Sequence, residues 1–132
     1  MAATPVETLV NAFLLKAVKS QATHVRIIQV PNGGSVQLWF EGAWHEELAV
    51  PEVLRTPLVR RLGVMIGVLP PPRGKPWFGS LCMELGGDRH YFAVAIDRDH
   101  DTLHALVELV DETSFKARRQ PRPPSPHPYR AG

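Results

Sequence analysis

The sequence of 132 residues holds a single cysteine, Cys82. One thiol excludes an intramolecular disulfide and any zinc or iron–sulfur centre built from several cysteines. The phosphate-loop pattern G-x-x-x-x-G-K-[ST] and the nucleophile pattern G-x-S-x-G are also missing. The sequence therefore gives no support for nucleotide hydrolysis by a phosphate loop or for esterase chemistry on a nucleophilic serine.

Long apolar runs are missing as well, and no stretch approaches the roughly 20 residues that a transmembrane helix needs. The segment MAATPVETLV has neither a basic region nor a long apolar region, so no signal peptide is predicted. We therefore expect a soluble, cytoplasmic protein. Apolar residues make up 44% of the chain and charged residues 21%, which indicates one packed domain at this length.

The charge is divided unevenly along the chain, although its net value is only +2. Residues 1–115 hold ten Lys and Arg against all thirteen Asp and Glu, a net charge of −3. Residues 116–132 hold five Lys and Arg and no acid, a net charge of +5. The high isoelectric point is therefore a property of the C-terminal segment.

Two helices are predicted. Thr4-Pro5-Val6-Glu7 combines an N-cap threonine, a proline at the first helical position and a glutamate three residues after the cap. An apolar stripe at helical spacing follows, and this helix is expected to end near Ser20. Thr56-Pro57 marks the start of a second helix, with Gly67 as its stop.

Six strands are predicted around these helices, at residues 24–30, 35–40, 43–48, 79–85, 90–97 and 102–110. Glu41-Gly42 and Gly86-Gly87-Asp88 are hairpin turns in this interpretation. The order α-β-β-β-α-β-β-β with short turns predicts a single α+β domain at residues 1–112, with a mostly antiparallel sheet and the helices on one face. Residues 113–132 are predicted to form a disordered, basic, proline-rich tail.

Three segments of this chain carry a resemblance to a known family. They are Ala22-Thr23-His24-Val25-Arg26-Ile27-Ile28, Val36-Gln37-Leu38-Trp39-Phe40-Glu41-Gly42 and Lys75-Pro76-Trp77-Phe78-Gly79. With the order of elements, they resemble the N-terminal PAS-like domain of type II secretion and type IV pilus assembly ATPases. The resemblance covers roughly residues 6–110 and implies a PAS-like fold. It keeps the apolar and glycine positions of the family but not the charged ones.

The departures from the family pattern define the expected function. Gln37 and Trp39 stand where the family has arginines that approach nucleotide phosphates, and the nucleotide-hydrolysing domain is missing from this sequence. The resemblance thus implies a non-enzymatic interaction or regulatory domain without a cofactor. It would bind a secretion or pilus ATPase, bind another component of that machinery, or assemble with itself. One alternative is a secretion-chaperone-like adaptor that holds a client protein. Another is a weak nucleotide sensor using Arg26, Arg73 and Lys75.

The candidate protein-binding residues are Trp39, Arg73, Lys75, Trp77 and Phe78. Tryptophan and arginine often anchor protein interfaces, and these five residues would form one docking patch. The alternative is structural: Trp39 would pack beneath a loop or helix, and Trp77 would close one end of the core.

Other chemistry-bearing residues give weaker patterns. Asp97-x-Asp99-x-Asp101 with Glu108 resembles a calcium loop, but strands flank it and no glycine stands at its sixth position. No metal site and no catalytic constellation is predicted, and Cys82 is expected to be a buried, inert thiol. The tail is expected to be a solvated terminus. Its alternatives are an electrostatic nucleic-acid binder and a proline-rich ligand for an aromatic groove.

Overall fold

The computed structural model describes residues 5–67, 76–99 and 102–125. Its elements follow the predicted order, with one short helix added at the end. They are α1 (Pro5–Lys19), β1 (His24–Val30), β2 (Gly33–Phe40), β3 (Ala43–Val50), α2 (Glu52–Met65), β4 (Trp77–Leu85), β5 (Asp88–Asp99), β6 (Thr102–Val110) and α3 (Glu112–Lys116).

All six strands form one antiparallel sheet in the order β3-β2-β1-β6-β5-β4. Strands β1 to β3 form one meander and strands β4 to β6 form a second. The two meanders meet where β1 pairs with β6. Since β3 and β4 are the two edges, the connection through α2 must cross the whole sheet. The α+β class and the antiparallel sheet are therefore confirmed.

Two hairpins turn at the predicted positions. Glu41 and Gly42 have φ values of 53° and 77°, and Gly86 and Gly87 have values of 63° and 90°. Positive φ at both central residues gives the turn a twist that matches the twist of paired strands. The turn at Glu41 and Gly42 fixes the register of β2 on β3, in which Trp39 lies opposite Trp44.

The hydrophobic core lies between one face of the sheet and the two long helices. Helix α1 buries Val10, Phe13, Leu14 and Ala17, and α2 buries Leu58, Val59 and Leu62. The sheet contributes alternate side chains from its strands, which are Val25, Ile27, Val36, Leu38, Val50, Leu81, Leu85, Phe92, Val94, Ile96, Leu103, Ala105 and Val107. Alternation along the strands leaves the other set of side chains on the opposite face of the sheet. A register shift between β2 and β3 interrupts this alternation, so that Glu46 pairs with Gln37 while Leu48 pairs with Val36 and packs against the core.

Helix α2 begins earlier than predicted, at Glu52, so that Pro57 lies inside it. The cap-plus-proline pattern at residues 56–57 is therefore not the helix start. The first turn is held by Arg55, which is 3% exposed. Its Nη1 donates to the carbonyl of Leu103 at 2.9 Å and its Nη2 donates to the Glu52 carboxylate. This buried arginine ties α2 to β6.

The C-terminal segment differs from the predicted tail. Helix α3 begins at the cap Asp111, whose Oδ1 accepts from the Ser114 backbone N–H at 2.7 Å. This hydrogen bond lowers the pKa of Asp111. Arg118, with φ of 54°, ends the helix in the left-handed conformation common at helix C-termini. Residues 119–125 then make contacts with the sheet, while residues 126–132 lie outside the described residues.

None of the helices in the described ranges is long and apolar enough to cross a bilayer.

The substitution Gly79→Ala tests how closely the end of α2 packs on β4. A Cβ built at Gly79 would lie 2.6 Å from the Cβ of Ile66, just after α2. We expect Gly79→Ala to lower the free energy of unfolding by about 1–3 kcal/mol, because the helix end must move away from the sheet. Denaturant unfolding monitored by circular dichroism measures the change. Ser80→Ala, on the other face of β4, is the matched control, and equal stability of the two variants would contradict the close packing.

Candidate protein-binding face

The sheet face opposite α1 and α2, here called the open face, carries most of the polar and aromatic side chains of the strands. Residues that are Cα partners on neighbouring strands form rows that cross this face. One row runs from β3 to β4 and contains Trp44, Trp39, His24, Glu108, Ala93 and Ser80. The next row contains Glu46, Gln37, Arg26, Leu106, Ala95 and Phe78.

An aromatic pair lies at one end of the open face. The rings of Trp39 and Trp44 meet edge to face, with centroids 5.3 Å apart and planes at 76°. The guanidinium of Arg26 lies 4.2 Å from the centroid of the Trp44 ring. This cation–π contact and the ring pair hold the two indoles in a fixed orientation.

Arg26 is also held by a chain of hydrogen bonds. Its Nε donates to Oε1 of Gln37 at 2.7 Å, and Nε2 of Gln37 donates to Oγ of Ser35 at 3.1 Å. The Ser35 hydroxyl in turn donates to Oε1 of Glu46 at 2.6 Å. Burial lowers the pKa of Arg26. Gln37 thus positions Arg26 against Trp44.

The centre of the open face is formed where β1 meets β6, by His24 and Glu108. Nε2 of His24 donates to the carbonyl of Arg122 at 2.6 Å, and the Arg122 backbone N–H donates to Oε1 of Glu108 at 2.9 Å. Nη1 of Arg119 lies 3.0 Å from the same carboxylate oxygen. Two side chains from adjacent strands thus bind both backbone groups of one residue, and the segment is anchored across the β1–β6 seam.

His24 is buried and neutral in this arrangement. A carbonyl only accepts, so the proton of the neutral ring lies on Nε2, and Nδ1 accepts from Oγ1 of Thr23 at 2.8 Å. Burial lowers the pKa of His24, and this effect outweighs the Arg122 carbonyl and the Glu108 carboxylate, which raise it.

Two open cavities, each of about 400 Å³, lie on either side of the docked segment (residues 119–125). The first, here called the apolar groove, has a floor of Ile28, Ala95 and Leu106 and is bounded by Trp44, Arg26, Asp97, His104, Pro76 and Pro124. The second is lined by Trp39, Phe40, His24, Glu108, Arg122 and Pro123, among others. The docked segment therefore contributes to the walls of both cavities.

The predicted protein-binding residues are distributed over both faces of the sheet. Trp39 lies on the open face, as its alternation with Val36, Leu38 and Phe40 predicts. Phe78 shares that face and is 41% exposed, but β1, β6 and β5 separate it from Trp39, a distance of about 19 Å at about 4.8 Å per strand. Trp77 points to the other face and packs against the core.

Arg73 and Lys75 lie outside the described residues. Trp39, Trp77 and Phe78 are not brought into one patch, because neighbouring residues of a strand point to opposite faces. A binding role for each of these residues stays a prediction.

Several residues of the open face were missed by the sequence analysis. Trp44 was not singled out, although the two-residue turn at Glu41-Gly42 places it directly opposite Trp39. His24 and Glu108 were not paired, because the β1–β6 contact joins residues that are far apart in sequence. No local pattern indicates that contact.

Cys82 is exposed, and the expectation of a buried thiol is wrong. Leu81 is buried on the core face of β4, so the next residue must face away from the core. Asp97 and Asp99 lie in β5, while Asp101 is outside the described residues. No cluster of three or more metal-ligating side chains is found within residues 5–67, 76–99 and 102–125.

No protein-family model matches this sequence, and no curated protein matches it.

The buried neutral His24 predicts a pH dependence of stability. Its pKa in the folded protein lies below the ordinary value of 6.5, so between those two values the unfolded chain binds more protons. The free energy of unfolding is therefore expected to fall as the pH is lowered through about 6.5 towards the folded pKa. Denaturant titrations between about pH 7.5 and about pH 5.5 measure this loss.

His24→Gln is the matched control for this measurement, since its side-chain amide can still donate to the Arg122 carbonyl but does not titrate in this range. The variant should show a flatter pH profile than the wild-type chain. Identical slopes for the two proteins would contradict the assignment of the pH dependence to His24.

Proposed function

We propose that this chain is a non-enzymatic protein-binding module and that the open face of its sheet is the binding surface. One observation carries the proposal: this face already holds a peptide segment of the chain itself, through both backbone groups of Arg122. Next to that segment lies the apolar groove, bordered by a tryptophan and floored by aliphatic side chains. Apolar grooves with a few polar groups at their edges are typical of peptide-binding sites.

The engagement of the polar side chains supports a binding role over catalysis. His24 and Glu108 are hydrogen-bonded to the docked segment, and Arg26 is bound by Gln37 and Trp44. The same engagement weighs against a nucleotide-sensing role for Arg26, since phosphate recognition needs a guanidinium fork directed at the phosphate oxygens. The proposal therefore includes no cofactor and no substrate turnover.

A relationship to the N-terminal PAS-like domain of type II secretion and type IV pilus assembly ATPases is part of the proposal. Its support is the α-β-β-β-α-β-β-β order together with the quoted motifs. Gln37 and Trp39, which replace the family's arginines, both lie on the open face beside Arg26. In this proposal a nucleotide-facing surface has become a protein-facing one, and the partner is a cytoplasmic component of that machinery or a second copy.

A secretion-chaperone-like adaptor is the second candidate. The apolar groove of about 400 Å³ favours it, because a client segment would bury its apolar side chains there. This candidate predicts a stable dimer, one small client and no affinity for a hexameric ATPase.

Affinity capture from the source organism tests the proposal. The full chain is used as bait beside two open-face variants, Trp39→Ser and Trp44→Ser. We expect these variants to lose most of the partner that the wild-type chain captures, because removing either indole breaks the aromatic pair. Quantitative mass spectrometry of the captured proteins is the readout.

Val53→Ser is the matched control, since Val53 is 78% exposed and lies on α2, across the core from the open face. It should capture the partner as well as the wild-type chain does. Each variant is first shown to be folded by its thermal unfolding curve. Capture of the same proteins by the open-face variants and the wild-type chain would overturn the proposal. Recovery of pilus or secretion components favours the first candidate, and recovery of one small client favours the adaptor.

A further inference from the structure

The docked segment shows what kind of peptide the open face accepts. Residues 119–125 read Arg-Gln-Pro-Arg-Pro-Pro-Ser, with three prolines in seven residues. Arg122 is bound through its backbone N–H and carbonyl. The recognition at this position therefore depends on backbone groups, and a residue that precedes a proline, as Arg122 does, favours the extended conformation.

The negative charge of Glu108 favours an arginine at position 119, before the prolines. The Glu108 carboxylate is 15% exposed and pairs with the Arg119 guanidinium at 3.0 Å. Since Glu108 accepts from both Arg119 and the Arg122 backbone, one carboxylate fixes an arginine side chain and a backbone amide three residues later. An acidic or neutral residue in place of the arginine would lose the ion pair.

Two of the three prolines line cavities whose walls include aromatic and aliphatic side chains. Pro123 lines the cavity that contains Trp39 and Phe40, and Pro124 lines the apolar groove that contains Trp44. Proline-rich segments lose little conformational entropy when they bind, because they are already extended, and aromatic grooves are their usual binding sites. The apolar groove is also lined by Ile28, Leu106, Ala95 and Pro76, and of residues 119–125 Pro124 is the one that lines it.

From these contacts we infer that the open face is a recognition site for an extended, proline-rich peptide with an arginine before its prolines, carried by a partner protein. The inference rests on the proposed protein-binding function and names its ligand class. Residues 119–125 of the chain occupy one part of the site and compete with the partner. A partner peptide that also fills the apolar groove gains contacts that the docked segment does not make.

Competition by a tethered segment has a measurable consequence. A segment joined to its site by a short linker acts as a competitor at an effective concentration of about a millimolar. The apparent affinity for an external peptide is reduced by the fraction of molecules whose site is occupied. Releasing the docked segment must therefore raise the affinity for the external peptide.

The test uses the full chain and a fluorescein-labelled peptide with the sequence of residues 117–125, followed by fluorescence polarisation. Arg119→Glu places a carboxylate next to Glu108 and should release the docked segment. We expect this variant to bind the peptide at least about fivefold more tightly than the wild-type chain. Adding Glu108→Gln to Arg119→Glu should reverse most of that gain, because the ion pair to the peptide is lost.

Two controls separate recognition from simple charge attraction. A peptide with its three prolines replaced by alanine keeps every arginine and should bind at least about fivefold more weakly. A labelled single-stranded oligonucleotide should gain no affinity from Arg119→Glu. Thermal unfolding shows whether the variants fold, and Arg119→Ala serves as a milder release variant.

Equal peptide binding by the wild-type chain, Arg119→Glu and Arg119→Ala would overturn the inference, as would equal binding of the alanine peptide. Failure of this inference can be distinguished from failure of the proposed function. One result is that the peptide does not bind, while Trp39→Ser and Trp44→Ser capture less partner than the wild-type chain does. The binding function then stands and the ligand class is wrong. If capture is unaffected by those variants, the proposed function itself fails.

Discussion

The pairing of β1 with β6 is the contact on which the rest of the structure depends. Four pairs of Cα partners, from His24 with Glu108 to Ile27 with Ala105, join the two meanders. Without this seam the sheet would divide into two three-stranded halves. On the core face the seam brings Val25 against Val107, and on the open face it brings His24 beside Glu108. The same pairing thus completes the core and creates the site that holds residues 119–125.

The position of that site explains why a proline-rich segment is ordered on the sheet. Several prolines close together disfavour helix and sheet, but they do not prevent a chain from lying on a surface that binds its remaining N–H and carbonyl groups. Arg122 keeps both groups between prolines, and the seam offers an acceptor and a donor for them. Among the described residues, the opposite charges of the body and the C-terminal segment meet in two ion pairs, Glu108 with Arg119 and Glu112 with Lys116.

Much of the fold could be predicted from local patterns. Strand alternation and turn residues predicted six strands, and the hairpin at residues 41–42 has the predicted turn. The α+β class is confirmed, while a PAS-like relationship stays a proposal. The predicted start of α2 was wrong because Arg55 stabilises an earlier first turn through its hydrogen bond to the Leu103 carbonyl in β6. The placement of Trp77 and Phe78 in one patch was inconsistent with their adjacency in a strand, which sends them to opposite faces.

The sequence by itself determined which segments are helices and strands and, at the turn residues Glu41-Gly42 and Gly86-Gly87, the pairing next to each of these two turns. Alternation also indicates which side chains share a face where the pairing is regular, but the register shift between β2 and β3 places Glu46 and Leu48 on opposite faces although they are two residues apart. Only the tertiary structure decided that β1 pairs with β6, that α2 crosses from one edge to the other, and that residues 119–125 lie against His24 and Glu108. These are contacts between residues far apart in sequence, set by burying both meanders under the same two helices, and no local pattern encodes them.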